Sequence, residues 1–337
     1  MTAPTLSLVI PIYNEAETIP ELGRRLKALL KRLKEPTEVI LVNDGSHDDS
    51  LPLLVDLNRR DPRFKVVNLS RNFGHQLAIT AGMDLASGEA VIVMDADLQD
   101  PPEVVTQLVR RWREGYQIVH AVRRERRGET WFKRWTAHLF YRFLQSMANV
   151  DLIADAGDFR LIDRQALEAL RSLRESNRYV RGMVSWLGFR QTTVEYVREE
   201  RFAGTTKYPL RKMLRFATDA LISFSNVPLR FALNIGFVFA ALSFLGGLLA
   251  IGLKLAGAFT IPGWVSIVVG VTFVGGVQLF ILGVMGEYLG RIYEQVKARP
   301  LYIVSDLHGS FDTLLSVPRA VVTPPAGAPA PIHDRAR

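Results

Sequence analysis

The sequence predicts an α/β domain with a mostly parallel sheet, followed by interfacial helices and a two-helix transmembrane hairpin. Short apolar runs alternate with helical patterns in the N-terminal part of the chain, which is typical of βαβ units. Two later stretches, residues 231–253 and 255–286, carry no charged side chain. A helix needs about 20 apolar residues to cross a bilayer, so each stretch is long enough to span it.

The composition excludes several classes of protein. Of the 337 residues, 48% are hydrophobic and 23% charged, as in ordinary folded proteins, which excludes collagen, coiled-coil arrays and wholesale disorder. The chain contains no Cys, so it has no disulfides, thiol nucleophiles or Cys-ligated metal sites, in agreement with a reducing compartment. The net charge of +8 comes from basic residues that flank the apolar stretches, so nucleic-acid binding is not expected.

Four strands are predicted in the N-terminal part, because each is a short apolar run bounded by polar residues. They cover residues 6–12, 39–42, 65–69 and 90–94. Helices are predicted between them, over residues 22–33, 53–57 and 76–86, where apolar residues recur at helical spacing. Open α/β sheets bind ligands at the carboxyl ends of their strands, so the polar residues that follow the strands form the candidate site.

The two apolar stretches are predicted to form a hairpin of spans at about residues 231–253 and 265–285. Pro262-Gly263-Trp264 marks the turn, with the Trp at the membrane interface. Basic residues flank the outer ends of the spans, whereas the loop between them holds only Lys254. The positive-inside rule therefore predicts a multi-pass protein of the inner membrane with both termini in the cytoplasm. No secretory signal pattern opens the chain, so the large N-terminal part is expected to stay cytosolic.

Two basic amphipathic stretches are predicted to lie on the membrane surface. Residues 131–144 carry aromatic and Leu side chains at helical spacing beside Lys and Arg, and residues 210–222 show a similar pattern. A helix that packs against the protein core has the same apolar spacing, and this alternative stays open for both stretches. The Pro-rich tail at residues 318–337 is predicted to be disordered.

Two carboxylates follow the strand at residues 90–94. Asp95 and Asp97 flank a single Ala, and residues i and i+2 of an extended segment point the same way, so both carboxylates can converge on one hard cation. Such a cation can in turn hold a diphosphate. The glycine-rich dinucleotide motif and the Walker phosphate loop do not occur in the sequence.

Together these motifs resemble the inverting family-2 glycosyltransferases with the GT-A fold. Three motifs have the family's order and spacing: Pro11-Ile-Tyr-Asn-Glu15, Asn43-Asp44-Gly45-Ser46-x-Asp48 and Asp95-x-Asp97. Four others resemble the polyprenyl-phosphate glycosyltransferases, the subgroup of bactoprenol glucosyltransferases and dolichol-phosphate mannose synthases: Arg71-Asn-Phe-Gly-His75-Gln76, Ala156-Gly-Asp158-Phe-Arg160-Leu161, Arg201-Phe-Ala-Gly204-Thr-Thr-Lys207-Tyr208 and Gly286-Glu-Tyr-Leu-Gly-Arg291-Ile-Tyr293. The resemblance extends from about residue 6 to residue 304.

The resemblance implies a nucleotide-sugar donor site. Its implied donor-binding residues are Pro11, Tyr13, Glu15, Asp44, Asp95 and Gln99. Among them, Asp44 is expected to accept hydrogen bonds from the uracil or ribose, although a turn or N-cap role beside Gly45 stays open. Asp95 and Asp97 are expected to hold Mg²⁺ or Mn²⁺, which would neutralise the charge on the departing nucleoside diphosphate.

The implied acceptor is a polyprenyl phosphate. A phosphate monoester has its second pKa at about 6, so at neutral pH it is mostly a dianion and needs cations and orientation more than a general base. Arg201 and Lys207 are the candidate ligands of this phosphate, and Arg123 is a further one. Asp158 occupies the position of the family's supposed catalytic carboxylate, either as a base or as a positioning group.

The predicted reaction is the transfer of a hexose, with inversion, from UDP-glucose to undecaprenyl phosphate on the cytosolic membrane face. The alternatives are another sugar (aminoarabinose, mannose or GlcNAc), a processive polysaccharide synthase and an inactive membrane scaffold. The predicted regions are a GT-A catalytic domain at residues 1–208, an interfacial helix at 209–229, two membrane helices within 230–290, a cytosolic segment at 291–317 and a tail at 318–337. A homo-oligomer is expected, and the resemblance implies a tetramer.

Overall fold

The computed structural model describes residues 4–124, 156–197, 227–256 and 263–311. The strands in these ranges are β1 (Leu6–Ile12), β2 (Thr37–Asn43), β3 (Phe64–Leu69), β4 (Ala90–Val93), β5 (Ile118–Arg123), β6 (Ala156–Asp163), β7 (Gln191–Tyr196) and β8 (Val304–His308). The helices are α1 (Ile19–Arg32), α2 (Ser50–Arg60), α3 (His75–Leu85), α4 (Val105–Arg113), α5 (Arg164–Ser172), α6 (Val180–Trp186), α7 (Val227–Leu255) and α8 (Trp264–Val296).

One sheet holds all of the described strands, in the order β7-β5-β6-β4-β1-β2-β3-β8. The pairs β1–β2, β1–β4, β2–β3 and β5–β7 are parallel. The pairs β4–β6, β5–β6 and β3–β8 are antiparallel. The predicted α/β fold with a mostly parallel sheet is thus confirmed, and so are its four predicted strands. Strands β5 to β8 were not predicted.

Helices cover both faces of the sheet, which explains the continuous apolar runs of the central strands. All seven residues of β1 and of β2 are buried. Leu8 and Ile10 of β1 face one core together with Leu26 of α1, whereas Val9 faces a second core together with Ile79 of α3. Side chains of successive strand residues thus pack against different helix layers.

Strand β8 brings the chain back into the α/β domain after helix α8. It pairs antiparallel with the edge strand β3. Just before it, the buried Tyr302 hydroxyl donates a hydrogen bond to Asp84 Oδ2 at 2.7 Å. Arg174 Nη1 binds the same oxygen at 2.7 Å. The segment after α8 is therefore part of the catalytic sheet, and it lies on the same side of any membrane as the α/β domain.

The C-terminal end of α8 also contacts the domain directly. Gln295 Oε1 accepts a hydrogen bond from Ser176 N at 2.8 Å, and Gln295 Nε2 donates one to Arg174 O at 3.1 Å. One amide side chain thus binds two backbone groups of the segment between α5 and α6. This contact fixes the end of α8 against the segment that leads to Arg181.

Helices α7 and α8 pack against each other in opposite directions. The rings of Phe239 and Phe273 have their centroids 5.2 Å apart, and a Cβ on Gly236 would lie 3.5 Å from Ile281 Cδ1. Contacts thus move toward the start of α8 as α7 proceeds, which is the geometry of a hairpin. Large apolar side chains outside this contact are exposed, including Leu233, Phe237, Leu249, Leu279 and Leu282.

One described segment, Phe273–Val296, is long and apolar enough to cross a membrane, and Phe231–Gly246 is a shorter apolar one. The predicted spans at 231–253 and 265–285 lie within α7 and α8, but a crossing by both helices stays a prediction. The predicted surface stretches at 131–144 and 210–222 and the tail at 318–337 lie outside the described residues. The predicted bounds of the other regions, at 1–208, 209–229, 230–290 and 291–317, stay predictions.

We predict that Tyr302→Phe lowers the free energy of unfolding by about 2 kcal/mol, because a buried carboxylate loses a hydrogen-bond donor. Asp84 keeps Arg174, so the variant is expected to fold. Denaturant unfolding in detergent, followed by intrinsic fluorescence, measures the difference. Tyr116→Phe is the matched control, since the Tyr116 ring is only half-buried and packs beneath Arg190. Equal stability of the two variants would contradict the role given to Tyr302.

Candidate active site

The loops that follow β1 and β2 are locked together by side-chain hydrogen bonds. Asn14 has a left-handed backbone with φ of 53°, and its side-chain Oδ1 accepts a hydrogen bond from His47 N at 2.8 Å. Asn14 N donates to Ser46 Oγ, and Glu15 N donates to Ser50 Oγ, each at 3.0 Å. The two predicted motifs thus form one rigid unit at the carboxyl edge of the sheet.

The structure places the predicted base-pocket residues in this unit. Pro11 is buried in β1, opposite Val42 of β2. Tyr13 is 44% exposed, and its ring meets that of His47 edge-on, with centroids 6.5 Å apart. Glu15 is half-buried at the start of the turn that leads to α1. The exposed Tyr13 ring is the surface that a planar base can stack on.

Asp44 holds a third loop in place. Its buried carboxylate accepts hydrogen bonds from Phe73 N at 2.7 Å and from Gly74 N at 3.0 Å. Burial raises the pKa of Asp44, and these two backbone amides oppose the rise. Each carboxylate oxygen has a further lone pair, so the loop-holding role and nucleotide binding are compatible.

Gly45 allows this loop to approach closely. Its φ is 64°, a left-handed conformation that favours glycine. A Cβ at this position would lie 2.4 Å from the backbone carbonyl carbon of Arg71. The motif Asn43-Asp44-Gly45-Ser46 therefore needs glycine at its third position for two independent reasons.

The loop after β4 carries the predicted metal ligands. Asp95 and Asp97 are both half-buried, and Gln99 N donates a hydrogen bond to Asp97 Oδ1 at 3.1 Å. Asp95 Oδ1 is buried without a hydrogen-bond partner in the part of the chain that the structure describes. The pKa of Asp95 is raised to about 6, mainly because the carboxyl group is buried. The charge of His75 opposes this rise, and the neighbouring carboxylates add to it.

These two carboxylates fit a divalent cation that takes its other ligands from elsewhere. Within residues 4–124, 156–197, 227–256 and 263–311, no group of three or more His, Cys, Asp or Glu is placed to hold a metal by itself. Mg²⁺ in phosphate-binding enzymes typically has one or two carboxylate ligands and completes its shell with phosphate oxygens and water. The unsatisfied oxygen of Asp95 is the feature that such an ion would satisfy.

Asp158 of β6 lies at the centre of a cluster of hydrogen-bond donors. Arg181 of α6 binds it through two nitrogens, with Nε at 3.0 Å from Oδ1 and Nη2 at 3.1 Å from Oδ2. Gln76 Nε2 donates to Oδ2 at 3.2 Å, and Arg160 Nη2 lies 3.4 Å from Oδ1. Burial alone would raise the pKa of Asp158, but the His75 hydrogen bond and the Arg181 charge hold it well below its usual range.

His75 joins this cluster to the loop after β4. Its Nε2 lies 3.2 Å from Asp158 Oδ2 and 3.4 Å from Asp95 Oδ1. Burial lowers the pKa of His75, but the two carboxylates outweigh that effect and raise it. His75 thus lies between Asp95 and Asp158. The sequence analysis predicted neither this contact nor His75 as a site residue.

The remaining candidates are the three basic residues that were predicted to bind the acceptor phosphate. Arg123 lies at the end of β5, where its Nε donates to the Tyr196 hydroxyl at 3.3 Å and its Nη2 is 3.9 Å from Asp100 Oδ1. The Tyr196 hydroxyl in turn donates to Asp100. Arg123 is thus near the cluster and already has an anionic neighbour. Arg201 and Lys207 lie outside the described residues, so their role stays a prediction.

Four residues of the Asp158 cluster were not predicted as site residues: His75, Gln76, Arg160 and Arg181. The first three stand in two of the subgroup motifs, and this was the available signal. Arg181 gave no signal, because it is one of several Arg residues in a stretch without a motif.

We predict that Gly45→Ala lowers the free energy of unfolding by more than about 2 kcal/mol. The new methyl group would overlap the Arg71 backbone, and this overlap adds to the cost of about 1 kcal/mol for a left-handed alanine. Gly188→Ala is the matched control, because Gly188 has a φ of 73° but nothing within 4 Å of a Cβ. If both variants lost equal stability, close packing at Gly45 would be refuted.

Comparisons with known proteins agree with the motifs. The family model of glycosyl transferase family 2 matches residues 7–171. The uncharacterized glycosyltransferase YkcC of Bacillus subtilis is 50% identical over 303 residues, which are 90% of this chain and 94% of that protein. The SfII prophage-derived bactoprenol glucosyl transferase of Shigella flexneri is 39% identical over 303 residues, which cover 90% of this chain and 98% of that protein.

Two solved structures share part of the architecture at low sequence identity. Glucosyl-3-phosphoglycerate synthase from Mycobacterium tuberculosis, in complex with Mn²⁺, UDP-glucose and phosphoglyceric acid, is 21% identical with a TM-score of 0.44, over 65% of this chain and 79% of that chain. Mannosyltransferase PcManGT from Pyrobaculum calidifontis, in complex with GDP-Man and Mn²⁺, is 17% identical with a TM-score of 0.41, over 86% and 88%.

The sequence relatives are similar to this chain over nearly its whole length, including helices α7 and α8. They therefore confirm the predicted family and its GT-A-like α/β fold, and they match the predicted polyprenyl-phosphate subgroup. The chain belongs to glycosyl transferase family 2 and is a glycosyltransferase.

Proposed function

We propose that this enzyme transfers glucose from UDP-glucose to a polyprenyl phosphate at the cytosolic surface of the membrane, with inversion. The observation that carries the proposal is the physical tie between a carboxylate site at the sheet edge and an apolar helix. Gln295 at the end of α8 binds the segment that leads to Arg181, and Arg181 binds Asp158. The bactoprenol glucosyl transferase relatives support the same acceptor class and the choice of glucose.

On the donor side, the chain supplies both a base pocket and a place for the diphosphate. Tyr13 presents an exposed ring, and Asp44 holds the loop beside it. Asp95 and Asp97 would hold Mg²⁺ or Mn²⁺, which supplies charge neutralisation for the departing nucleoside diphosphate. Gln99 lies on the same loop as Asp97 and would contact the sugar.

On the acceptor side, the chain has to hold one anion close to another. The phosphate of the lipid is already mostly dianionic at neutral pH, so it attacks without giving up a proton. Arg201 and Lys207 would offset the repulsion between acceptor and donor and orient the attacking oxygen. Arg123 sits at the end of β5 on the same edge of the sheet and is a third candidate cation.

The apolar acceptor requires this chemistry to take place at the membrane surface. Lifting a polyprenyl chain into water would cost about 0.8 kcal/mol for each exposed CH₂ group. With α7 and α8 as a membrane hairpin, the α/β domain sits where α8 ends, at the level of the lipid headgroups. The predicted cytosolic segment at 291–317 then contributes β8 to the catalytic domain.

We predict that only the loop between α7 and α8 is reachable from outside the cell. Because the natural chain has no Cys, single cysteines can be introduced without background. Ala258→Cys should react with a membrane-impermeant maleimide on intact cells, and the exposed Ser172→Cys should react only after permeabilisation. Labelling of Ser172→Cys on intact cells would reverse the topology and remove access to cytosolic nucleotide sugars.

The function is tested with purified protein, undecaprenyl phosphate and a panel of nucleotide sugars. We expect UDP-glucose to give the lipid-linked sugar and UDP, and EDTA to stop the reaction. Asp97→Asn should lower turnover by at least about 100-fold, because charge on the departing diphosphate is no longer offset. Asp56→Asn on α2 changes an exposed carboxylate and is the control. Full turnover in EDTA, or no lipid product with any sugar, would overturn the proposal.

We predict a separation of acceptor and donor binding. Arg201→Gln and Lys207→Gln should each raise the KM for the lipid phosphate by about 10-fold or more, since each loses a charged hydrogen bond, with UDP-glucose affinity nearly unchanged. Tyr13→Ala should weaken UDP binding instead, because the base loses its stacking surface. Titration calorimetry measures the UDP affinity of each variant, and initial rates at varied lipid concentration give its KM for the lipid phosphate. Loss of UDP binding in both basic variants, with a normal lipid KM, would contradict this division.

A further inference from the structure

The surroundings of Asp158 are unusual for a group that has to accept a proton. Both oxygens are engaged by Arg181 in a bidentate pair, and Oδ2 also accepts from Gln76 and meets His75. Bidentate pairs between Arg and carboxylate are among the strongest hydrogen bonds in proteins. A carboxylate held in this way is stabilised as the anion and is a poor proton acceptor. The proposed acceptor, a phosphate dianion, has no proton that must be removed.

We propose that Asp158 is a fixed negative anchor, that Arg181 is a positioning residue that acts through it, and that His75 is a positioning residue that links Asp158 to Asp95. This inference rests on the proposed function in one respect, namely that Asp95 faces the donor diphosphate and its cation. In this arrangement Arg181 sets the orientation of the Asp158 carboxylate. Asp158 in turn fixes the His75 ring, and His75 sets the position of Asp95.

The geometry of His75 is the first support for this order of action. One ring nitrogen lies within 3.2 Å of Asp158 and 3.4 Å of Asp95, so a single N–H faces two carboxylates. Asp158 has additional donors that keep it in place. Asp95 Oδ1 makes no hydrogen bond within the described ranges, and the His75 nitrogen is its neighbour at 3.4 Å. Asp158 therefore fixes the orientation of the His75 ring, and the ring in turn positions the Asp95 carboxylate.

The backbone around the cluster is the second support. Gln76 donates to Asp158 through Nε2 and accepts from Val180 N through Oε1 at 3.2 Å. The same side chain thus joins the first turn of α3 to the first turn of α6. Arg181 follows Val180 directly, so its guanidinium is delivered to Asp158 by a helix start that is itself fixed. This is a rigid frame of three elements around one carboxylate.

The test measures cation binding without the lipid acceptor. Full-length protein in detergent is titrated with Mn²⁺ in the presence of UDP, and the concentration of free Mn²⁺ is measured by electron paramagnetic resonance. We expect His75→Gln, Arg181→Gln and Asp158→Asn each to weaken Mn²⁺ binding by about 10-fold or more, as substitutions of residues that orient metal ligands typically do. The double variant His75→Gln/Arg181→Gln should lose less than the product of the two, because the effect of Arg181 reaches Asp95 through Asp158 and His75.

Two further variants separate positioning from general damage. Arg178→Gln removes a neighbouring guanidinium that binds Leu173 O and not Asp158, so its Mn²⁺ affinity should match that of the natural protein. Arg181→Lys keeps the charge but loses the two-nitrogen fork, and it should lie between Arg181→Gln and the natural protein. Thermal unfolding of each variant checks that it is folded, and the half-exposed His75→Gln is expected to fold in any case.

Each outcome decides a different question. Unchanged Mn²⁺ affinity in Asp158→Asn and His75→Gln, with sugar transfer abolished in Asp158→Asn, would overturn the inference and give Asp158 a direct role in the transfer step. A loss of affinity in Arg178→Gln equal to that in Arg181→Gln would also overturn it. If the natural protein binds no Mn²⁺ with UDP, the donor side of the proposed function fails instead.

Discussion

Asp158 carries its charge in a nearly buried position at the carboxyl edge of the sheet, and the protein has to balance that charge with its own cations. Arg160 reaches it from the same strand, Arg181 from α6 and His75 from the start of α3. A buried charge without a partner costs several kcal/mol, so these three elements are constrained to meet at one point. Asp95 shares His75 and is placed by the same balance of charge.

The same frame ties the carboxylate edge of the sheet to a helix that is long and apolar enough to cross a membrane. Residues 174–181 connect α5 to Arg181, and Gln295 of α8 binds this segment through two backbone groups. Strand β8 then returns the chain to the sheet beside β3. A long apolar helix is therefore attached to the α/β domain both by a strand and by a side chain that binds the segment preceding Arg181. A lipid-linked acceptor, which cannot leave the headgroup level cheaply, requires an attachment of this kind.

The elements and site residues that could be predicted from the sequence are those marked by a local pattern of neighbouring residues. Strands β1 to β4 are buried on one or both faces and show as short apolar runs, and Asp95 and Asp97 follow one of them. Strands β5 and β6 contain the buried polar residues His120 and Arg160, which interrupt the apolar pattern. Strand β8 is short and largely polar, and only its long-range pairing with β3 makes it a strand. Arg181 belongs to the cluster for the same non-local reason.

The sequence motif around Asp44 left the physical role of this residue open. The motif predicted a ligand of the nucleotide, and the structure shows a carboxylate that holds the loop at Phe73 and Gly74. Both roles use the same acidic residue next to a glycine, so spacing alone does not separate them. The contribution of the structure is to show that the loop-holding role exists and leaves lone pairs for a ligand.

The most direct test of this account is a cryo-electron microscopy structure of the protein in a lipid nanodisc with Mn²⁺, UDP and undecaprenyl phosphate. The account predicts Mn²⁺ bound directly to carboxylate oxygens of Asp95 and Asp97, with Asp158 still bound to Arg181. It also predicts the lipid phosphate among basic side chains and out of contact with Asp158. Mn²⁺ held by other residues, or Asp158 released from Arg181 and bound to the lipid phosphate, would contradict it.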